Sequence, residues 1–300
     1  IYRKNNNAGE THIAGNGVNG ITESGAWVTP FCLSQADHKG MFVGYKNIWR
    51  SNNVTTSPVS WTQISDNLAG SNGSDMALVE HSAANTNLFY AARSDGKFFR
   101  TDNCMDATPL WYDLSSLLPA SGTPSDLQSH PTDENVLYIT LGAGVYKSSD
   151  KGSSWTNITG NLPAISKNAI VYYKNAADGL YVGTDAGVYY KDASSPDWIP
   201  FSGGLPVNGR ITELEIYYDN DSVSQDAIRA CTYGRGLWGS DMYHSMPDAD
   251  FTTSETTVPI GCAVDFTDIS TGVPAYFQWS FPGATPATSN LKNPQDIVYS

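Results

Sequence analysis

The sequence has no uninterrupted apolar run of about 18 residues, so nothing in it reads as a membrane-spanning helix. Charge is sparse, at 16% of residues, and positive charge is sparser still, with 17 Lys and Arg against 30 Asp and Glu. The resulting net charge of −13 repels phosphate backbones and anionic headgroups, which excludes nucleic acid and favours neutral or cationic partners. Only four cysteines occur, Cys32, Cys104, Cys231 and Cys262, and none forms a C-x-x-C pair, so neither a zinc site nor a redox motif is indicated. Three full pairings of these cysteines are conceivable, and one disulfide and buried free thiols both stay open. No basic stretch leads into a short apolar one at the start, so any export signal is expected upstream of Ile1 or already removed.

Aromatic residues reach 12% of the 300, with 27 Gly and many Asn, Ser and Thr, a balance suited to strands joined by polar turns. One pattern recurs five times: "MFVGYKNIWR" (41–50), "LFYAARSDGKFFR" (88–100), "LYITLGAGVYK" (137–147), "LYVGTDAGVYY" (180–190) and "RACTYGRGLW" (229–238). Each copy is an apolar strand, a tight turn and an apolar–aromatic pair that opens the next strand. Trp49, Phe99, Tyr146, Tyr189 and Trp238 mark the register at a period of about 40 to 50 residues, and Tyr2 extends it backwards. A strand precedes each hairpin, and after most of them another ends near Trp61, Trp111, Trp155 or Trp198. Four antiparallel strands at this period predict a β-propeller, with five blades and part of a sixth. That number does not close a ring, so further blades are expected upstream.

Between the third and fourth strands of the middle copy lies "SSDKGSSW" (148–155), with weaker versions at 51–61, 101–111 and 191–198. A motif repeated once per blade is a turn and not a single active site. Asp150 can accept backbone N–H groups, Gly152 can take positive φ and Trp155 can pack between sheets. Ser148, Asp150, Gly152 and Trp155 resemble the Asp-box, or BNR, repeat. The resemblance implies a structural turn remote from any ligand, and it is shared by sialidases, xyloglucanases and sortilin-like receptors, so it selects no single function.

Blade-like sequence runs to about residue 245, and 246–250 reads as a linker. From 251 to 300, "VDFTDIST" (264–271), "FQWSFPG" (277–283) and "NP" (293–294) resemble a PKD domain, an immunoglobulin-like β-sandwich. Trp279 would be its core tryptophan, and the domain is expected to continue past Ser300. The fold expected is therefore all-β, a propeller followed by an incomplete β-sandwich. "YGRGLW" and the propeller–PKD order resemble cell-surface proteins exported by the type IX secretion system of Bacteroidota, which implies a secreted or surface location and outer-membrane secretion components as partners.

A glycosidase needs two carboxylates flanking the scissile bond. Asp75, Asp126 and Asp185 are the candidates, because they sit near strand starts or hairpins at one end of the propeller, although Asp95 matches Asp185 in another blade and favours a turn role. Arg3, Arg50, Arg100 and Lys147 share one repeat position and read as strand-face residues. Arg210, Arg229 and Arg235 cluster in the last copy, but with Arg235 in the repeat hairpin a sialidase is not expected. His81 and His130 also coincide in the repeat, with His38 near that register, which favours loop roles over metal ligation. No cofactor is expected. Calcium is compatible with "YYDNDS" (217–222), and second aromatics in "WYD" (111–113) and "VYY" (188–190) could stack on sugars. Asn53, Asn72, Asn157 and Asn220 head Asn-x-Ser/Thr sequons, and "DSV" (221–223) resembles a Bacteroidota O-glycosylation motif. These readings converge on a surface protein that binds a cell-surface protein or a polysaccharide through loops at one face, without catalysis. A glycoside hydrolase and a structural component of a surface assembly are the alternatives.

Overall fold

The computed structural model describes residues 1–4, 9–66, 68, 73–206, 208–219, 226–243, 249–270 and 276–299. The chain divides into two compact units, Ile1–Asp241 and Met242–Ser300. Of the linker expected at 246–250, residues 246–248 lie outside the described residues.

Alternation of large apolar and polar residues over short runs produces strands, and tight turns between them pair neighbours antiparallel. Blade I comprises Phe31–Leu33, Met41–Gly44, Ile48–Ser51 and Thr62–Gln63; blade II comprises Met76–His81, Phe89–Arg93, Phe98–Thr101 and Trp111–Asp113. Blade III comprises Asp126–Ser129, Leu137–Leu141, Gly144–Ser148 and Thr156–Asn157; blade IV comprises Lys167–Tyr173, Gly179–Thr184, Gly187–Lys191 and Ile199–Pro200. Sheet V has three strands, Ile211–Tyr217, Ala227–Thr232 and Gly236–Asp241. Before them all, Tyr2–Lys4 pairs with Glu10–His12 as the remnant of one more copy. The first strands of successive blades lie side by side. These sheets are the blades of an all-β propeller.

Each blade is apolar on both faces, so the core is a series of inter-blade layers and not one central cluster. Phe42, Ile48, Met76 and Phe89 fill the layer between blades I and II; Tyr90, Phe98, Leu127 and Ile139 fill the next; Tyr138, Val145, Ile170 and Val182 fill the one after. Close approach is secured by glycine at the second strand. A Cβ on Gly44 would stand 2.7 Å from the Met76 side chain, and one on Gly183 would stand 2.5 Å from Ile211.

Two sets of polar latches bind the layers. The tryptophan before or at the start of each fourth strand reaches back one blade and donates its indole N–H to a carbonyl: Trp61 to Ile13 at 2.7 Å, Trp111 to Ile64 at 2.9 Å and Trp198 to Ile158 at 2.9 Å. Trp155 packs in the same way against Phe98 and Leu114, but its buried N–H has no partner. The basic residue of the third strand reaches forward to the next blade. Arg3 donates to Val54 O, Arg50 to Cys104 O at 2.6 Å and Arg100 to Lys151 O at 2.9 Å, while Lys147 meets Asp178 at 3.4 Å. The repeat position of the three arginines is thus an inter-blade clasp on the turn between third and fourth strands, whereas Lys147 reaches the turn between the first and second strands of blade IV.

In the Asp-box-like turn, Asp150 Oδ1 accepts Ser154 N–H at 2.8 Å, Ser148 Oγ accepts Gly152 N–H at 2.8 Å, and Gly152 has φ +84°. Asn53, Asn103 and Asp192 accept neighbouring N–H groups at the same place in other blades. All four cysteines are free thiols, Cys104 buried and Cys262 exposed.

In the second unit, Phe251–Thr253 pairs with Phe266–Asp268, and Ile297–Tyr299 pairs with both Ala263–Val264 and Ala284–Thr285. Trp279, on a short strand pair with Thr288–Ser289, lies within about 6 Å, ring centre to ring centre, of Phe251, Phe266 and Phe281, and its N–H is donated to Leu291 O. Val264, Phe266, Phe281 and Ile297 are its buried core.

Truncating Trp198 removes a buried indole from the layer between blades III and IV and orphans the Ile158 carbonyl. Trp198→Ala is expected to cost about 3–5 kcal/mol of unfolding free energy, measured by denaturant titration, whereas Trp198→Phe should recover part of it.

Candidate functional site

The five first strands surround an axial channel. Its wider end is a cavity of about 480 Å³ with contributions from every blade, among them Phe31, Glu80, Asp126, Asn168, Glu213 and Glu215. The other end, about 340 Å³, is bordered by Gln35, His81, Ser129, Tyr172, Lys174 and Tyr218 and shares Glu80 and Glu215 with the first.

The strand registers explain why carboxylates gather here. Leu78, Asp126, Ala169 and Glu213 face Ala92, Thr140, Gly183 and Cys231 of their second strands, so they hold one repeat position in blades II to V. Two residues on, Glu80, Gln128, Val171 and Glu215 hold another. Four acidic side chains thus converge on one channel from three blades.

Two of them are committed to the neighbouring blade. Asp126 Oδ2 accepts the N–H of Ile170 at 2.7 Å and Oδ1 that of Leu127 at 2.8 Å. Glu80 Oε1 accepts Ser129 N–H at 2.9 Å and the Ser129 hydroxyl at 2.6 Å. Both are crowded by protein on nearly every side yet keep one face on the channel, where water damps their interactions. Burial pushes Glu80 up to about 7 against the pull of the Ser129 bonds, and burial with the nearby Glu213 charge holds Asp126 well above the usual carboxylate range. Glu213 and Glu215 are exposed on sheet V and are raised by partial desolvation, Glu213 also by the charge of Glu215.

Of the three carboxylates singled out in the sequence, Asp126 alone lines the channel. Asp185 sits in the blade IV hairpin, where Oδ1 accepts Asn168 Nδ2–H at 2.9 Å and faces Arg210 at 3.4 Å. Asp95, its counterpart in blade II, is paired with Arg93. Asp75 is half-buried just before the first strand of blade II, and its backbone carbonyl accepts Ser94 N–H at 3.0 Å. Glu80, Glu213 and Glu215 were not singled out, because an acidic residue inside an alternating strand reads as its solvent face. Only alignment of first strands across blades would have exposed them.

The remaining candidates are occupied locally. Arg210 faces Asp185, Arg229 stacks over Tyr217 and Arg235 lies in the last hairpin, which does not make a carboxylate clamp. His81 accepts Gln35 N–H at Nδ1 and bonds Thr86 O through Nε2; His130 accepts Asp133 N–H at Nδ1 and meets the Tyr172 hydroxyl. His38 is exposed. Among the described residues no group of three or more His, Cys, Asp or Glu could hold a metal ion. The calcium expectation at 217–222 falls in part, and Asn72, Asn220 and "DSV" fall wholly, outside the described residues.

No protein-family model matches the chain, and no curated protein is similar to it in sequence. Solved structures match its fold. An ancestral GH74 enzyme superposes with a TM-score of 0.50 at 16% identity, covering 87% of this chain and 40% of that one. The GH74 xyloglucanase from Xanthomonas campestris gives 0.52 at 16% identity, covering 84% and 44%. The chain thus spans less than half the length of these structures, and at this identity the likeness is one of fold.

The Glu80 shift has a testable consequence. Its folded pKa lies above the unfolded value, so the folded state holds the proton more tightly, and stability from this group is present at low pH and lost as pH rises through about 7. Glu80→Gln keeps an acceptor for Ser129 and cannot ionise. Its Tm relative to the parent should therefore rise by a few degrees between pH 5 and pH 8, read by circular dichroism at both values.

Proposed function

We propose that this is a secreted or cell-surface propeller that binds a neutral polysaccharide or a surface protein at the mouth of its axial channel, without making or breaking bonds. The observation that carries this reading is the engagement of the carboxylates a hydrolase would need: both oxygens of Asp126 accept backbone N–H groups, and Asp185 is held by Asn168 and Arg210. A carboxylate whose two oxygens each accept a backbone N–H is anchored to its own scaffold, which leaves it poorly placed to move toward a substrate. The wall of amides, hydroxyls and apolar side chains, with Asn168, Gln128 and Thr212 among them, suits the alternating polar and apolar surface of a sugar chain. On the same reading the second unit, with its resemblance to a PKD domain, is a spacer or adhesive module, and surface location and contact with outer-membrane secretion components follow from the resemblance of the whole.

A glycoside hydrolase is the second reading. It is favoured by the likeness of fold to GH74 enzymes and by Glu213 and Glu215, which stand exposed beside the channel. Incubation with xyloglucan and other neutral glucans separates the two. Binding in affinity electrophoresis with no release of reducing ends is the expected result. Reducing ends released by the parent and lost in Glu213→Gln or Glu215→Gln would replace the binding reading with the hydrolase.

A further inference from the structure

We infer that His81 is an acid-sensitive latch between blades I and II: a second proton on its ring releases the backbone of Gln35 and frees the loop that borders the narrow end of the channel. Successive residues of a strand face opposite sides, so at the end of the first strand of blade II Glu80 turns to blade III and His81 to blade I. The imidazole is 1% exposed, with its ring centre 4.7 Å from that of Phe42 and 6.0 Å from that of Phe89. Both of its nitrogens are engaged. A carbonyl can only accept, so Nε2, 2.8 Å from Thr86 O, carries the proton; Nδ1 is then bare and accepts Gln35 N–H at 2.9 Å. Gln35 and His81 both border the narrow cavity, so this bond closes one side of it.

Protonation sets two donors face to face across the seam, because Nδ1–H then points at Gln35 N–H. The groups around the ring do not offset the charge. On its own blade, Glu80 is bound to Ser129 of blade III, and the Cys104 thiol donates to the same Thr86 carbonyl. From blade I, the Cys32 thiol lies against the His81 backbone N–H, and Arg50 is spent on the carbonyls of Cys104 and Asp106. Asp37, His38 and Lys39 are exposed on the Gln35 loop, with Asp37 Oδ1 accepting Lys39 N–H. Lys174 and Glu215 border the narrow cavity from the other blades. Burial holds His81 below the ordinary histidine value, with the Thr86 bond pulling the other way. His130 is built differently: its Nδ1 accepts N–H groups of its own loop, its Nε2 meets a hydroxyl that can accept from either form of the ring, and Asp133 and Asp178 favour its charge. For His81 the folded value lies below the unfolded one, so the latch is fully closed above about 6.5 and weakens as pH falls through the folded value. Glu80 runs the opposite way, since its raised carboxyl favours the folded contact with Ser129 as acid is added. Acid therefore loosens blade II from blade I and keeps it on blade III.

Amide hydrogen exchange of the full chain between pH 7.5 and pH 5, corrected for the intrinsic rate, tests this. Protection of the Gln35 amide is expected to fall by up to about tenfold for each pH unit below 6.5, while that of the Ser129 amide, held by Glu80, stays level or rises. His81→Asn puts a carbonyl oxygen near the place of Nδ1 and cannot take up a charge, so its Gln35 protection should not change with pH. The two amides of the parent decide the matter even where that variant fails to fold. Protection at Gln35 that stays constant, an equal loss at Gln35 and Ser129, or a pH dependence that survives in His81→Asn overturns the inference.

Discussion

The structure depends on one constraint: a four-stranded sheet that is apolar on both faces has no stable existence until each face is covered. Every blade is therefore both a lid and a floor, and stability comes from layers shared between neighbours, much as in other repeat architectures. The latches follow from that arrangement. Indole N–H groups reach back one blade and guanidinium groups reach forward one, so the layers up to blade IV are closed by polar contacts at the outer rim as well as by apolar packing within. Because these latches end on backbone carbonyls, they constrain the neighbour's main-chain position while leaving its side chains free to vary.

At the inner rim the same problem has a different solution. First strands are sheet edges, and their outward N–H groups need acceptors where, as at Ser129 and Ile170, the residue is buried against its neighbour. Asp126 and Glu80 supply them, at the cost of confining negative charge to a channel, which is why both carboxyls are raised. Raised carboxyls in a cleft are a common mark of catalytic chemistry, but ion placement for structural reasons produces the same signature. Here the bonds decide: the acceptors are aimed at the next blade and not at the cavity.

The propeller was legible because its determinants are local and periodic. Hairpins with aromatic third strands, tryptophans at the fourth and polar turns between them recur at a nearly constant interval, and each copy reinforces the others. Asp75 and Asp185 were drawn in as candidates because their place near hairpins and strand starts is visible in sequence, while the salt bridge from Arg210 that occupies Asp185 depends on how two blades meet. Glu80, Glu213 and Glu215 escaped notice for the opposite reason. Their strands look half-exposed, and only the closing of first strands around an axis turns a solvent face into a channel wall.

That channel wall also limits what can enter. With Glu80, Asp126, Glu213 and Glu215 around one cavity and a net charge of −13 on the whole chain, an anionic ligand would meet repulsion both at long range and on contact. Lys174 at the far end, stacked over Tyr218 at 4.0 Å, is the one lysine or arginine that the described lining residues set against that field. Carboxylates raised by burial also retain protons at mildly acidic pH, and a protonated carboxyl both donates and accepts, as sugar hydroxyls do. A neutral polyol therefore gains partners as the channel loses charge, whereas a cationic ligand loses them. Opposite trends of affinity with pH thus distinguish the two classes of ligand that the charge of this protein admits.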